Sequence, residues 1–376
     1  MRAMYIHIPF CHQICNYCDF NKVYFKNQPV DEYLIALQKE LQMYAERFSL
    51  NSLETVFIGG GTPTSLSPQQ LEVLLTAIQK VVDVESLREY TIEANPDELT
   101  REKLEVLYRG GVRRLSIGVQ SFNDDHLRTL GRTHSASDVK QVIAEAKTVG
   151  FNNISIDLIY GLPEQTIEDW QDTLQQAFDL HLPHYSTYSL IIEPKTVFYN
   201  LRNNDQLKLP DASIEGEMFT YVIEEMKRRG YTQYEVSNFA LPHYESVHNC
   251  VYWENDEYVG IGAGAHGYVD GIRYSNIGPV QHYIDGVTDT FPRRDEHRVT
   301  KKEAMEEEMF LGLRMTKGVS RQAFLEKFQL PIEEVYGLQL EQLKARGLME
   351  EINGHWTLTK EGLYRGNDVF EQFLLS

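Results

Sequence analysis

The chain has 376 residues, a formal net charge of −19 at pH 7, and a composition of 42% hydrophobic and 24% charged residues, which is typical of a globular protein and excludes a disordered one. No apolar run approaches the roughly 20 residues that cross a bilayer, and so acidic a chain is poorly suited to binding nucleic acid. The first residues, MRAMYIHIPF, lack the features of a signal peptide, so we expect a cytoplasmic protein.

Short β-rich runs alternate with helical segments through the first half of the chain. The predicted strands are Met4–Ile8, Thr55–Ile58, Glu89–Glu93, Arg114–Val119, Asn153–Ile159 and Tyr185–Ile191. The predicted helices are Asp31–Phe48, Pro68–Val82, Arg101–Arg109, Ala136–Val149, Ile167–Asp179 and Ile214–Arg229. Six such units in a row predict an α/β fold with a parallel sheet, either open and doubly wound or curled toward a barrel.

The unusual motifs of the chain follow the predicted strands. Three cysteines follow the first strand, GGGTPT follows the second, EANP ends the third and GVQSF ends the fourth. Because ligands of parallel sheets collect at the carboxyl ends of the strands, these motifs are expected to meet in one site.

The pattern changes after residue 235, which predicts three domains. Residues 1–235 form the βα domain, and residues 236–295 form an extension without helical period that packs on it. Residues 296–376 contain three helical segments and a sequence typical of a hairpin, EEINGHWTLTKEG, which together predict a winged-helix-like domain. Its many glutamates favour a packing or partner-binding role over DNA binding.

Cys11, Cys15 and Cys18 form the pattern Cys-x3-Cys-x2-Cys. A zinc site of three cysteines and one histidine is one interpretation, since His7 and His12 are near in sequence. A thioredoxin-like pair leaves Cys11 unexplained. A [4Fe-4S] cluster is held by thiolates, and three of them leave one iron free for a small molecule.

This pattern after a first strand resembles the radical SAM superfamily, with Tyr17 matching the aromatic residue that precedes the last cysteine. The resemblance implies a partial (β/α)6 barrel, a [4Fe-4S] cluster on the three cysteines, and S-adenosylmethionine (SAM) on the open iron. YIHIPFC, GGGTPT, TIEANP, LSIGVQSFN, LGRTH and IDLIYGLP further resemble the branch that contains oxygen-independent coproporphyrinogen III oxidase and the HemW-type haem chaperones.

The same resemblance implies a set of SAM-binding residues. Gly60, Gly61 and Thr62 would hold the methionine end, and Glu93 would accept hydrogen bonds from SAM. The other family positions around SAM match Tyr5, Gln120, Arg132 and Asp157. Each has a structural alternative: GGGTPT is also a tight turn, Asp157 a capping residue and Tyr5 a core aromatic.

Two departures separate the chain from the oxidases. Asp19 and Phe20 follow Cys18, so the fourth cysteine of the oxidase pattern is absent, and the first strand begins almost at once. Both features favour the chaperone branch, which implies haem binding and transfer to apo-haemoproteins such as respiratory enzymes. A radical SAM enzyme acting on a tetrapyrrole, either a coproporphyrinogen III dehydrogenase or a haem-modifying enzyme, is the alternative.

HNCVYW, residues 248–253, fits the HNxxYW motif that the resemblance assigns to haem handling. His248 is the predicted haem-binding residue, with His266 and Cys250 as alternatives, because imidazole commonly ligates haem iron. No Cys-x-x-Cys-His motif is present, so c-type attachment is not expected.

GAGAHG lacks a following helix, so its glycines are expected to permit close packing and not to bind a dinucleotide. Dimerisation and contact with membrane-bound recipients are left open.

Overall fold

A computed structural model describes residues 1–375 of the chain. The strands are β1 (Ala3–Ile8), β2 (Phe10–Cys11), β3 (Val23–Tyr24), β4 (Thr55–Gly60), β5 (Glu89–Ala94), β6 (Arg114–Gln120), β7 (Asn153–Tyr160), β8 (His184–Ser189), β9 (Thr232–Gln233), β10 (Asn238–Ala240), β11 (Tyr258–Ile261), β12 (His266–Val269), β13 (Ile272–Asn276), β14 (Arg293–Arg298), β15 (Val319–Ser320), β16 (Met349–Ile352) and β17 (His355–Leu358).

The helices alternate with these strands in the first half and cluster near the C-terminus. They are α1 (Val30–Arg47), α2 (Pro68–Gln79), α3 (Arg101–Arg109), α4 (Asp124–Leu130), α5 (Ala136–Val149), α6 (Ile167–Phe178), α7 (Val197–Asn203), α8 (Ala212–Arg228), α9 (Val247–Trp253), α10 (Val280–Gly286), α11 (Lys301–Gly312), α12 (Arg321–Phe328), α13 (Ile332–Ala345), α14 (Lys360–Tyr364) and α15 (Gly366–Phe370). Within residues 1–375, no helix has the length and apolar character needed to cross a membrane.

The main sheet has twelve strands in the order β14-β13-β12-β11-β1-β4-β5-β6-β7-β8-β10-β9. Its centre consists of six strands that run parallel to one another, in the order β1, β4, β5, β6, β7 and β8. All six predicted strands are present, with ends that shift by one or two residues. This confirms the α/β fold class with a partial, barrel-like sheet.

Local signals explain where the helices begin. Ser67, Ser135 and Thr166 each cap a helix through a reciprocal capping box, which satisfies backbone N–H groups that have no partner inside the helix. The apolar faces of α1, α2, α3 and α5 pack into one large core with the strands. Helices α3 and α5 have the predicted bounds.

The segment 236–295 contains more regular structure than its sequence indicates. β11 pairs in parallel with β1 and so extends the main sheet, and β12, β13 and β14 continue it as an antiparallel meander. Each element is seven residues or shorter, so no clear period develops in the sequence.

Helix α9 packs at the amino ends of β4 and β5, away from the edge where the cysteines lie. The side chain of Glu89, the first residue of β5, accepts hydrogen bonds from the backbone N–H groups of Val247 and His248 at 2.8 and 3.2 Å. A carboxylate at a helix N-terminus satisfies unpaired donors and suits the helix dipole. Glu89 is buried, so this cap fixes α9 to the sheet.

The C-terminal segment has its own hydrophobic core. Met309, Phe324, Tyr336 and Trp356 are buried in it, with helices α11, α12 and α13 packed beside the small sheet β15-β17-β16. The three predicted helices and the hairpin are therefore present. Their assignment as a winged helix, and the three domain boundaries, stay predictions.

Candidate functional site

The three cysteines lie on what we call the cysteine loop, residues 11–22, at the carboxyl end of β1. Cys11 ends β2 and is buried, whereas Cys15 and Cys18 are half-buried, and all three are free thiols. Burial and, to a smaller extent, the proximity of neighbouring cysteines raise the pKa of Cys11 and Cys18. Within residues 1–375, no three His, Cys, Asp or Glu side chains converge on a single point that could hold one metal ion.

Two of the thiols already meet hydrogen-bond donors. The hydroxyl of Thr62 donates to Cys11 Sγ at 3.5 Å, and the guanidinium of Arg132 donates to Cys15 Sγ at 3.4 Å. Donors of this kind stabilise thiolates and tune the metal that the thiolates bind. Thr62 and Arg132 were predicted to surround SAM, and the structure brings both to the sulfur atoms.

Gly61 allows this approach. A Cβ atom on Gly61 would lie 2.8 Å from Cys11 Sγ and 2.9 Å from the carbonyl oxygen of Pro9. Atoms do not approach so closely without displacement, so the absent side chain leaves room for the thiol. The absence of a side chain at Gly61 thus permits the close packing of Cys11 beside the turn.

Asn95 connects the two halves of this arrangement, and the sequence prediction missed it. Its Nδ2 donates to the hydroxyl of Thr62 at 3.2 Å, and its Oδ1 accepts from Arg132 at 2.9 Å. Its place in EANP, at the carboxyl end of a parallel strand, could have indicated this role, because ligand-binding residues collect at that end of the strands.

The cysteine loop is clamped on both sides. On one side, the Asn16 side chain donates to the carbonyl of Thr129 at 2.9 Å. On the other side, Asn21 Nδ2 donates to the carbonyl of Ala263 at 2.8 Å, and a Cβ on Gly264 would lie 2.4 Å from that nitrogen. The glycines of GAGAHG therefore permit close backbone packing, as predicted, and β12 follows them in place of a helix.

The two histidines of the zinc alternative are engaged elsewhere. His7 Nε2 lies 2.7 Å from the carbonyl oxygen of Asn21 and therefore carries the proton, while Nδ1 accepts from the hydroxyl of Tyr5 at 2.9 Å. Burial lowers the pKa of His7 to about 4. His12 Nε2 lies 3.3 Å from the carbonyl oxygen of Ser65. Both nitrogens of His7 are thus occupied, and one nitrogen of His12 is bonded to the main chain.

Burial controls the protonation of the thiols. It raises the pKa of Cys11 to about 11, and it also raises the pKa of Cys18. Without a metal these thiols are therefore protonated at neutral pH, and ligand formation must release their protons.

Gly60 and Glu93 form the next part of the site. The backbone N–H of Gly60 donates to the Glu93 carboxylate at 3.0 Å. A Cβ on Gly59 would lie 2.9 Å from Glu93 Oε2, so only glycine leaves the carboxylate in this place. Burial raises the pKa of Glu93 to about 7, with the Gly60 bond opposing the rise. Near neutral pH its ionised form can accept further hydrogen bonds.

Gln120, Asp157 and Arg132 meet around Gly118. A Cβ on Gly118 would lie 2.9 Å from Gln120 Nε2 and 3.1 Å from the Arg132 guanidinium, and Asp157 is the register partner of Gly118 on the next strand. The ladder is irregular here, and Gln120 has φ of +67°, a strained value for a residue with a side chain. Burial raises the pKa of Asp157. Tyr17, within the cysteine loop, packs against a small apolar cluster.

A cavity of about 520 Å³ begins at this site and extends toward α9. Tyr5, Gly60 and Glu93 line one end, and Tyr252 and Trp253 line the other. Phe20 and His266 also line it and are exposed, so they mark its mouth. This volume lies within the range of about 300–1,000 Å³ that is typical of small-molecule and cofactor sites.

Helix α9 carries HNCVYW, yet the motif's histidine does not line the cavity. His248 is 1% exposed and stacks on Phe57 with 5.0 Å between ring centroids. Its Nδ1 lies 2.8 Å from the hydroxyl of Thr55, and its Nε2 lies 2.8 Å from the hydroxyl of Tyr252. Both nitrogens are occupied, so in this arrangement His248 presents no nitrogen to a haem iron.

Cys250 does not line the cavity either, and burial raises the pKa of its thiol to about 12. By contrast, His266 contributes to the cavity wall. The site residues implied by the resemblance thus fall into two groups. One group surrounds the thiols and the near end of the cavity, and the other holds α9 in place.

Comparisons with known proteins agree with this geometry. The Radical SAM superfamily profile matches residues 5–177, and the profile of the HemN C-terminal domain matches residues 299–365. The protein "Heme chaperone HemW" of Bacillus subtilis (strain 168) is 49% identical over 376 residues, which cover 100% of this chain and 99% of that protein. The chain belongs to the HemW family.

Similar proteins are found outside bacteria as well. The mouse protein "Radical S-adenosyl methionine domain-containing protein 1, mitochondrial" is 34% identical over 92% of this chain and 81% of its own length. The solved structure of coproporphyrinogen III oxidase (HemN) from Escherichia coli shares the fold, with a TM-score of 0.85, 23% identity, and coverage of 99% of this chain and 90% of that chain. Membership of the radical SAM superfamily implies binding of a [4Fe-4S] cluster and SAM.

Proposed function

We propose that this protein is a cytoplasmic haem chaperone that carries a [4Fe-4S] cluster and SAM, binds haem, and delivers it to apo-haemoproteins such as respiratory enzymes. The single observation that carries the proposal is the full-length similarity to proteins named as haem chaperones. The alternative is a radical SAM enzyme that acts on a tetrapyrrole. Because the chain shares its fold with HemN, the fold does not distinguish the two functions, and a chemical assay is needed.

The donor set fits the cluster. Cys11, Cys15 and Cys18 are free, and thiolates are the ligands that iron–sulfur clusters take. The sulfur atoms that hold a cubane cluster need not converge on one point as the ligands of a single metal ion do, because each thiolate binds a different iron. We propose these three cysteines as its ligands, with Arg132 and Thr62 as donors to the sulfurs.

When bound, the cluster would supply an iron with a vacant coordination position for SAM and the electron that reduces SAM. Gly60, Gly61 and Thr62 are proposed to hold the methionine end, and Glu93 to accept from its donors. The proposed SAM site is completed by Tyr5, Tyr17, Gln120, Arg132 and Asp157. Glu93 supports this assignment because its half-buried carboxylate accepts a backbone N–H beside the cysteine loop and also lines the cavity.

The cavity supports haem binding near α9. A flat, largely apolar macrocycle is suited to aromatic walls, which Tyr252, Trp253 and Tyr258 supply. His248 is proposed to contribute to haem binding indirectly. Its hydrogen bond to the hydroxyl of Tyr252 holds that side chain in the cavity wall. Direct ligation by His248 stays a prediction that requires α9 to move.

An anaerobic assay separates the two functions. The reconstituted protein is expected to bind haem and to restore the activity of an apo-haemoprotein, while coproporphyrinogen III is recovered unchanged in the presence of SAM and a reductant. Conversion of coproporphyrinogen III to protoporphyrinogen IX, coupled to formation of 5′-deoxyadenosine, would contradict the proposal and favour the enzyme.

A further inference from the structure

The cavity contains polar side chains, and nearly all of them already have partners. The hydroxyls of Tyr5 and Tyr252 bond to His7 and His248. The carboxylate of Glu93 accepts from Gly60, and Arg273 forms a bidentate ion pair with Glu307 at 2.6 and 2.7 Å. These groups are either held by partners within the protein or, like Tyr5 and Glu93, assigned to the proposed SAM site, so none of them is left as a ligand for another guest molecule.

His266 is different. Its imidazole lines the cavity at the mouth and is exposed, and no hydrogen bond to either of its ring nitrogens is present within residues 1–375. His7, the other histidine in the cavity wall, has both nitrogens occupied. A free imidazole is a common axial ligand of haem iron.

The backbone at His266 is rigid although its side chain is free. His266 begins β12 and pairs with Ser275 of β13, and the carbonyl of the preceding residue, Ala265, accepts from Asn276 at 2.8 Å. A Cβ on Gly260 would lie 1.8 Å from the His266 carbonyl oxygen, so the neighbouring strand packs directly against it. A ligand mounted on a fixed strand is held more precisely than one on a loop.

From this geometry we propose that His266, and not His248, is the axial ligand of haem iron when haem occupies the cavity. The inference rests on the proposed haem-binding function and adds to it the position of the metal centre. The iron would lie near the cavity mouth, with the macrocycle facing the aromatic wall formed by Tyr252 and Trp253. A ligand at the mouth suits a carrier, because the iron is accessible to a recipient.

The test is a titration of the full-length, cluster-loaded protein with ferric haem, followed by absorption and electron paramagnetic resonance. An oxidised [4Fe-4S] cluster is silent in resonance, so the signal reports the haem alone. His266→Ala is expected to lose the nitrogen-ligated signal and to bind haem about tenfold more weakly. Excess imidazole is expected to restore the signal, which a purely structural role of His266 would not allow.

Two matched variants complete the experiment. His282→Ala removes an exposed histidine of α10 and is expected to leave the signal unchanged. His248→Gln is expected to keep nitrogen ligation. The inference is overturned if His266→Ala binds haem with an unchanged spectrum and affinity, or if His248→Gln alone removes the nitrogen ligand. If the wild-type protein binds no haem, the proposed function itself fails.

Discussion

The cysteine loop and helix α9 lie at opposite ends of the same strands, and they use their polar side chains in opposite ways. In the cysteine loop two of the thiols receive donors from Thr62 and Arg132, and all three are free of disulfides. In α9 the imidazole of His248 is bonded on both sides, and Glu89 saturates the helix N-terminus. This difference indicates that the first region awaits a ligand, whereas the second fixes the shape of the cavity.

The largest expected effect concerns the cysteine loop. Cys15→Ala removes one ligand of the cluster, so iron content after anaerobic reconstitution is expected to fall from about four atoms per chain to near zero, with loss of SAM binding. Much of the haem binding should persist, because Cys15 itself does not line the cavity. Iron analysis and haem titration check both outcomes.

Cys250→Ala is the control, since Cys250 is a free thiol outside the cysteine loop and its loss should leave the iron content unchanged. If Cys15→Ala also abolished haem binding, the two regions would be coupled and the contrast between them would not hold.

A smaller effect is expected from Gly61→Ala. The added Cβ would lie 2.8 Å from Cys11 Sγ, so the thiol must shift and more than half of the cluster should be lost while the far-ultraviolet circular dichroism is retained. Gly216→Ala in α8, where no atom lies within 4 Å of the new Cβ, is the control and should leave iron content unchanged. Full cluster occupancy in Gly61→Ala would show that the loop adapts more freely than its packing indicates.

Helix α9 can be tested through its cap. Glu89→Gln replaces a buried carboxylate by an amide that accepts fewer of the three hydrogen bonds from Ser246, Val247 and His248. The free energy of unfolding is expected to fall by about 3 kcal/mol, as measured by denaturant titration. The exposed Glu85→Gln is the control and should change it by less than about 0.5 kcal/mol. Equal effects in the two variants would show that α9 does not depend on this cap.

The smallest effect is a dependence on pH. Burial lowers the pKa of His248 from 6.5 to about 3, so the unfolded chain binds a proton below pH 6.5 that the folded chain does not. Stability from this group is therefore complete above pH 6.5 and is lost as the pH falls from 6.5 toward 3. At pH 5 the loss is roughly 2 kcal/mol, because each pH unit below the unfolded pKa costs about 1.36 kcal/mol.

The comparison with His248→Gln isolates this contribution, because the other buried groups are common to both proteins. Between pH 7 and pH 5 the free energy of unfolding of the variant should fall by roughly 2 kcal/mol less than that of the wild-type protein. Parallel stability curves over this range would mean that His248 is protonated in the folded state, and hence that α9 is more open than the structure shows.

Much of the first half of the molecule was predictable from the sequence. The parallel strands are short, rich in β-branched and aromatic residues and largely buried, and the helices have cap and stop signals. Strands β4 to β8 and helices such as α3 and α5 therefore lie close to their predicted positions. The cysteine loop was predictable because its spacing carries chemistry that does not depend on packing.

The region around α9 was not predictable in the same way. HNCVYW was recognised, but the sequence does not reveal that Thr55 and Tyr252 occupy both nitrogens of His248, since Thr55 is 193 positions away. Likewise, Asn95 acquires its role only when β5 brings it between Thr62 and Arg132. Hydrogen-bond partners distant in sequence decide which polar side chains are free, and only the fold determines those partners.

The C-terminal segment has a direct consequence for how the protein can be divided. Leu311 of α11 lines the cavity, and Glu307 of the same helix holds Arg273 in the opposite wall. A truncated protein that ends before residue 299 would retain the cysteine loop but would lose one side of the compartment. Retention of iron by such a fragment would therefore reveal nothing about whether it still holds a macrocycle.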